Sequence, residues 1–120
     1  MRFIFLFLLI FSISHAKTPY ELGKKLYLEK TCFSCHGNKA EGMHNYPYLA
    51  NRAKGYLAYK LTNYRKKISN SQQQEMMVAF AIDLSDEDIE NLATFLNEYK
   101  DDESAESYDD GFETQGDGGS

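Results

Sequence analysis

At 120 residues and a net charge of −5, the chain has room for one domain and some extensions. The charge is unevenly held: residues 17–100 carry twelve Lys and Arg against ten Asp and Glu, whereas 101–120 carry eight acids, four glycines and no base. No basic patch for nucleic acid stands out, and a core built from the 84 central residues is small enough to call for a disulfide, metal or cofactor as a staple.

The chain opens with Met1-Arg2, an apolar run from Phe3 to Ile13 broken only by Ser12, and Ser14-His15-Ala16. This is the pattern of a secretory signal cleaved before Lys17, an uncleaved anchor being the other reading. The run is shorter than the ~20 apolar residues that span a bilayer. Residues 1–16 are therefore expected to be removed on export, leaving a protein with no membrane span in an oxidising compartment, the periplasm.

Thr18-Pro19-Tyr20-Glu21 is a capping box with proline at the first helical position. With Leu22, Leu26 and Tyr27 at helical spacing, it predicts a helix from about Pro19 to Thr31. Gly37 to Pro47 is rich in turn residues and reads as a loop. Asn51 is placed to cap a second helix, in which Tyr56, Leu57, Leu61 and Tyr64 form an apolar stripe to about Lys67. Ser71 opens a shorter helix to about Phe80. Ser85, followed by Asp86-Glu87-Asp88, caps a last helix whose apolar face is Ile89, Leu92, Ala93, Leu96 and Tyr99. No stretch alternates with the period of a strand, so the fold class is all-α with four or five helices. Residues 101–120 lack the apolar content to fold and read as a disordered acidic tail.

Both cysteines of the chain lie in Cys32-Phe33-Ser34-Cys35-His36. A thioredoxin-type dithiol belongs at a strand-to-helix junction, and no strand precedes this one. Structural zinc needs four ligands, and beyond these three only His44 is near. A disulfide across so short a loop stabilises little. A c-type haem accounts for every residue of the motif: two thiols three positions apart form thioethers to the two vinyl groups of one porphyrin, and the adjacent His36 supplies an axial nitrogen. Such a cofactor also supplies the missing core.

The second axial position decides the function, because a strong ligand there makes an electron carrier and an open site makes a binder of small molecules or a peroxide-reactive centre. Met43, His44, Met76 and Met77 are the candidates. Met43 and His44 follow the motif closely, whereas Met76 and Met77 are far enough along the chain to close over the other haem face. Neighbouring helical residues differ by about 100° in direction, so one methionine can face iron while the other packs. Periodicity alone does not choose between them.

Over most of 17–100 these residues resemble the small bacterial class I cytochromes c, in particular single domains of the tandem dihaem kind. The resemblance is carried by Cys32-Phe33-Ser34-Cys35-His36-Gly37, by Pro47-Tyr48-Leu49-Ala50, by Tyr56-Leu57 with Leu61 and Tyr64-Arg65, and by Met77 followed by Leu84-Ser85-Asp86-Glu87-Asp88-Ile89. It implies a class I cytochrome c fold of four to five helices around one covalent haem c, with thioethers at Cys32 and Cys35. It implies that His36 and Met77 are the axial ligands and that the Pro47 carbonyl accepts Nδ1–H of His36. Gly23 and Tyr27 should cross the last helix near Leu92 and Phe95. The sequence departs from the family at Asn51-Arg52, where Gly-Gln is usual, and lacks the glycine that usually follows Arg65, so local contacts to the haem propionates are not carried over.

The function that follows is one-electron transport between redox proteins, not enzymatic catalysis. A quinol-oxidising complex is the expected donor, a terminal oxidase or peroxidase the acceptor, and a monomer the working form. The alternatives are a subunit docked on a larger respiratory complex and a ligand-binding or peroxide-reactive protein with a labile sixth site. Lys24, Lys25, Lys30, Lys39, Arg52, Lys54, Lys60, Lys66 and Lys67 are candidates for steering an acidic partner, or form an ordinary solvated face.

Overall fold

The structure is a computed structural model that describes residues 13–101. Most of the expected signal segment and all of the expected acidic tail after Asp101 lie outside the described residues; Ile13 to Ala16 are exposed and without regular structure. Five helices follow in order: α1 (Pro19–Glu29), α2 (Phe33–His36), α3 (Lys54–Arg65), α4 (Gln72–Ala81) and α5 (Asp86–Asn97). Among the described residues the only strand-like feature is an isolated antiparallel bridge between Met43 and Tyr46. No described helix is long and apolar enough to cross a membrane.

The helix starts are chemically explicit. At α1 the Thr18 hydroxyl accepts from Glu21 N–H while the Glu21 carboxylate accepts from Thr18 N–H. Ser85 and Asp88 repeat the reciprocal pair at α5, and the Ser71 hydroxyl accepts from Gln74 N–H at α4. Each cap satisfies amide donors that the first helical turn leaves open.

Two expectations are corrected. The first helix stops at Glu29, not near Thr31, because Thr31 turns left-handed (φ 56°) and redirects the chain. Asn51 does not cap α3, which begins at Lys54 behind Ala53 with no side-chain cap. Asn51 instead adopts φ 60° and serves the end of α5: its Nδ2 donates to the carbonyls of Asn97 (3.2 Å) and Tyr99 (2.9 Å), and its N–H donates to Leu96 (2.7 Å). These carbonyls are among those that a helix C-terminus leaves without partners.

α1 and α5 form the frame. They cross at Gly23, where an added Cβ would lie 2.0 Å from the Asn91 carbonyl oxygen. Only glycine permits that approach. Around the crossing, Tyr20, Tyr27 and Tyr99 surround Phe95 with ring centroids 5.1 to 5.7 Å away, mostly edge to face. The buried core continues through Leu57, Ala81, Leu84, Ile89, Leu92, Ala93 and Leu96. α3 packs on α5 and carries α4. Arg65, at the end of α3, donates to the Leu84 carbonyl (3.0 Å) and to Asp86 (2.6 Å), holding the α4–α5 connection against α3. α3 and α4 bury one residue each, Leu57 and Ala81.

Candidate functional site

The cysteine motif is folded by what precedes it. Once Thr31 has turned the chain, Cys32 N–H donates to the Tyr27 carbonyl (3.0 Å) and residues 33–36 close a single helical turn. Within that turn His36 is buried, while Cys32 and Cys35 are partly exposed free thiols. Burial pushes the Cys32 thiol up to about 11, away from the lowered value of a reactive thiolate. Gly37 ends the turn at φ 92°, a conformation that favours glycine, and a Cβ there would collide with the Glu41 carboxylate at 2.5 Å. The Tyr27 hydroxyl donates to the Gly37 carbonyl at 2.6 Å, anchoring the exit of the motif to α1.

The following loop doubles back on the histidine. Gly42 N–H donates to the His36 carbonyl (2.8 Å), and the Met43–Tyr46 bridge reverses the chain. Pro47 thereby reaches the imidazole, with its carbonyl oxygen 2.8 Å from His36 Nδ1. A carbonyl can only accept, so Nδ1 carries a proton, and in the neutral ring Nε2 then keeps its lone pair.

Beside the motif lies a cavity of about 350 Å³. Cys32, Cys35, His36 and Pro47 line it from the motif and loop; Leu49, Leu57, Leu61, Tyr64 and Leu96 supply an apolar wall; Met76, Met77 and Phe80 line it from α4. Met77 is the less exposed of the two methionines, Met76 being 50% exposed. His44 and Met43 are exposed and do not line the cavity. The cavity thus gathers two thiols, one imidazole with a free Nε2 and two thioether sulfurs in an apolar enclosure. That donor set fits a c-type haem: thiols for covalent attachment, a nitrogen and a soft sulfur for iron, and hydrocarbon for the macrocycle.

Several lining residues escaped sequence reasoning. Asn45 and Tyr46 enter the wall from the loop that doubles back, and Gln73 and Gln74 from α4. The sequence marked Arg52 as a candidate surface charge and as part of the Asn51-Arg52 departure from the family pattern, but not as a wall residue. In the structure its guanidinium lies 4.9 Å from the ring centroids of both Tyr48 and Tyr56, at the cavity wall. Its main chain is pinned by the Asn97 amide, which donates to the Arg52 carbonyl at 2.7 Å.

The chain is similar to known cytochromes c. The cytochrome c family model matches residues 20–100. Cytochrome c-554(548) of Halomonas halodenitrificans is 33% identical over 68 residues, which cover 56% of this chain and 82% of that protein. Among solved structures, reduced recombinant cytochrome c4 from Pseudomonas stutzeri superposes with a TM-score of 0.61 at 26% identity. That match covers 68% of this chain and 48% of the other, so the present chain spans about half the length of that cytochrome c4. The fold is that of a class I cytochrome c, and the chain belongs to the cytochrome c family, whose signature is a covalently attached haem c.

Proposed function

We propose that the protein is an exported one-electron carrier, with haem attached through Cys32 and Cys35 and its iron held by His36 and Met77. The observation that carries this reading is a single apolar cavity lined both by the Cys-x-x-Cys-His turn and by the α4 methionines. When bound, the haem supplies a Fe(III)/Fe(II) couple.

The chain's own groups do the rest. The Pro47 carbonyl holds the His36 ring in one tautomer and raises the basicity of Nε2 toward iron. Met77, the more enclosed methionine, offers a soft, neutral sulfur that favours the ferrous state, with Met76 as its packed neighbour. Leu57, Leu61 and Leu96 keep water from the macrocycle. With His36 and Met77 holding the iron, no position would be left for a substrate, and the role would be transport and not catalysis. Residues 1–16 act as the export signal, 17–100 form the cytochrome domain and 101–120 are an acidic extension. The mature protein works as a periplasmic monomer between a quinol-oxidising donor and a terminal oxidase or peroxidase.

The test is the visible spectrum of the purified mature protein, reduced with dithionite, before and after CO. Sharp c-type bands unmoved by CO support a closed iron, and Met77→Ala should then open it to CO, whereas Met76→Ala should not. The alternative is a labile methionine that would leave the iron to a small ligand. A rapid response of the wild-type protein to CO would establish that reading instead.

A further inference from the structure

We propose that the exposed stripe of α3 and the turn after it are the docking site of the chain's own acidic segment, residues 102–120, which holds this face against other acidic partners.

Charge is segregated along the chain. Residues 42–74 contain six Lys and Arg and no Asp or Glu. Two of the six are matched within the fold: Lys54 pairs with Glu90 and Arg65 with Asp86, both tying α3 to α5. Lys60, Lys66 and Lys67 differ. Among the described residues none of the three has a carboxylate partner, and the Lys60 ammonium has only the Tyr56 ring, 5.8 Å from its centroid. Tyr56, Tyr59, Lys60 and Asn63 recur three and four positions apart and so share one side of α3. Lys66, Lys67 and Ile68 follow at its end and are exposed. Tyr59 is 64% exposed, so the stripe offers aromatic surface beside uncompensated positive charge. Its complement is a segment that carries both carboxylates and apolar rings.

The chain holds such a segment. Residues 101–120 have eight acids and no base, and Tyr108 and Phe112 stand among Glu106, Asp109, Asp110 and Glu113. The fold also places its root. Asn51 donates to the carbonyls of Asn97 and Tyr99, and the Asn97 amide donates to the Arg52 carbonyl, two residues before Lys54 opens α3. The acidic segment therefore leaves the domain close to the start of α3. Its first acid is already engaged with the domain, since Asp101 pairs with Lys39 at 2.8 Å. Length is sufficient: the 12 residues of α3 rise about 18 Å, and the chain from Asp101 to Phe112 can extend to about 36 Å. Because the segment is tethered, modest contacts suffice to seat it, and their electrostatic part is screened by salt. An acidic partner that uses this face must first displace it, which lowers that partner's apparent affinity.

The experiment is zero-length carbodiimide coupling of the dilute, full-length mature protein, with the products mapped by mass spectrometry. The reagent joins a carboxylate to an amine in contact with it. At low ionic strength, amides are expected from Glu106, Asp109, Asp110 or Glu113 to Lys60, Lys66 or Lys67 of the same chain. They should disappear in ~1 M salt, where the screening length is ~3 Å. Lys24, exposed on α1 and also without a carboxylate partner among the described residues, is the control. Coupling to Lys24 as extensive as to the α3 lysines would overturn the proposal. Products found only between chains would also overturn it and assign the face to a second copy. A titration with polyglutamate tests the competition. The Asp109→Asn, Asp110→Asn, Glu113→Gln variant, which leaves every described residue in place, should bind polyglutamate several-fold more tightly than the wild type. Equal affinities would overturn the proposal. The visible spectrum of the same samples reports separately on haem, so failure here leaves the electron-carrier reading intact.

Discussion

Tyr27 is buried to 2% exposure, and its hydroxyl does for the cysteine motif what a helix cap does for a helix end. It donates to the carbonyl of Gly37, the residue that terminates the Cys-x-x-Cys-His turn. Tyr27→Phe leaves that carbonyl without its partner and should cost about 1–3 kcal/mol in denaturant unfolding, with the haem bands retained. The same bond carries a pH signature. Burial holds the Tyr27 phenol above its ordinary range, so the folded chain keeps the proton at pH values where the unfolded chain loses it. The resulting stabilisation is complete below pH ~10 and is lost as pH rises further. Unfolding free energy should therefore fall more steeply above pH ~10 in the wild type than in Tyr27→Phe, where this titration is gone.

Helix ends mark what was legible in the chain and what was not. Thr18, Ser71 and Ser85 were readable as starts because a cap and its target amide lie three residues apart. The α1–α5 crossing at Gly23 was also foreseen, from the resemblance and from the closeness that glycine allows. Asn51 was misread because a polar residue before an amphipathic stretch looks the same whether it caps the following helix or one 46 residues downstream. α2 has four residues, too few for any periodicity. The Arg52 stack joins a loop tyrosine to a helical one, a contact no spacing rule encodes. Two substitutions test this level. Gly23→Ala drives a methyl group into the Asn91 carbonyl and should destabilise by at least the ~1–3 kcal/mol of ordinary overpacking, seen as a lower Tm. Asn51→Ala should cost about 1–3 kcal/mol, for the lost carbonyl partners and for a left-handed backbone. Asn51→Gly relieves the backbone and should recover only part of that loss, which separates the two contributions.

At the scale of the whole molecule, the helices divide into a self-sufficient half and a dependent half. α1 and α5 bury Gly23, Tyr27 and six consecutive residues from Asn91 to Leu96, and they hold each other through aromatic contacts. α3 and α4 bury one residue each, Leu57 and Ala81, and leave Tyr56, Met76 and Phe80 substantially exposed around the cavity. Those side chains gain an apolar surface only when the cavity is filled, so the cofactor belongs to the hydrophobic core as much as to the chemistry. The Cys32→Ser, Cys35→Ser double variant, which has no thiol for attachment, should show what that contribution is. Its far-UV circular dichroism should lose helical signal and its unfolding should lose cooperativity, with limited proteolysis cutting first within 54–81. Cleavage confined to 19–36, or a melt as cooperative as that of the holoprotein, would mean that α3 and α4 stand without the haem and that the cavity is a preformed container.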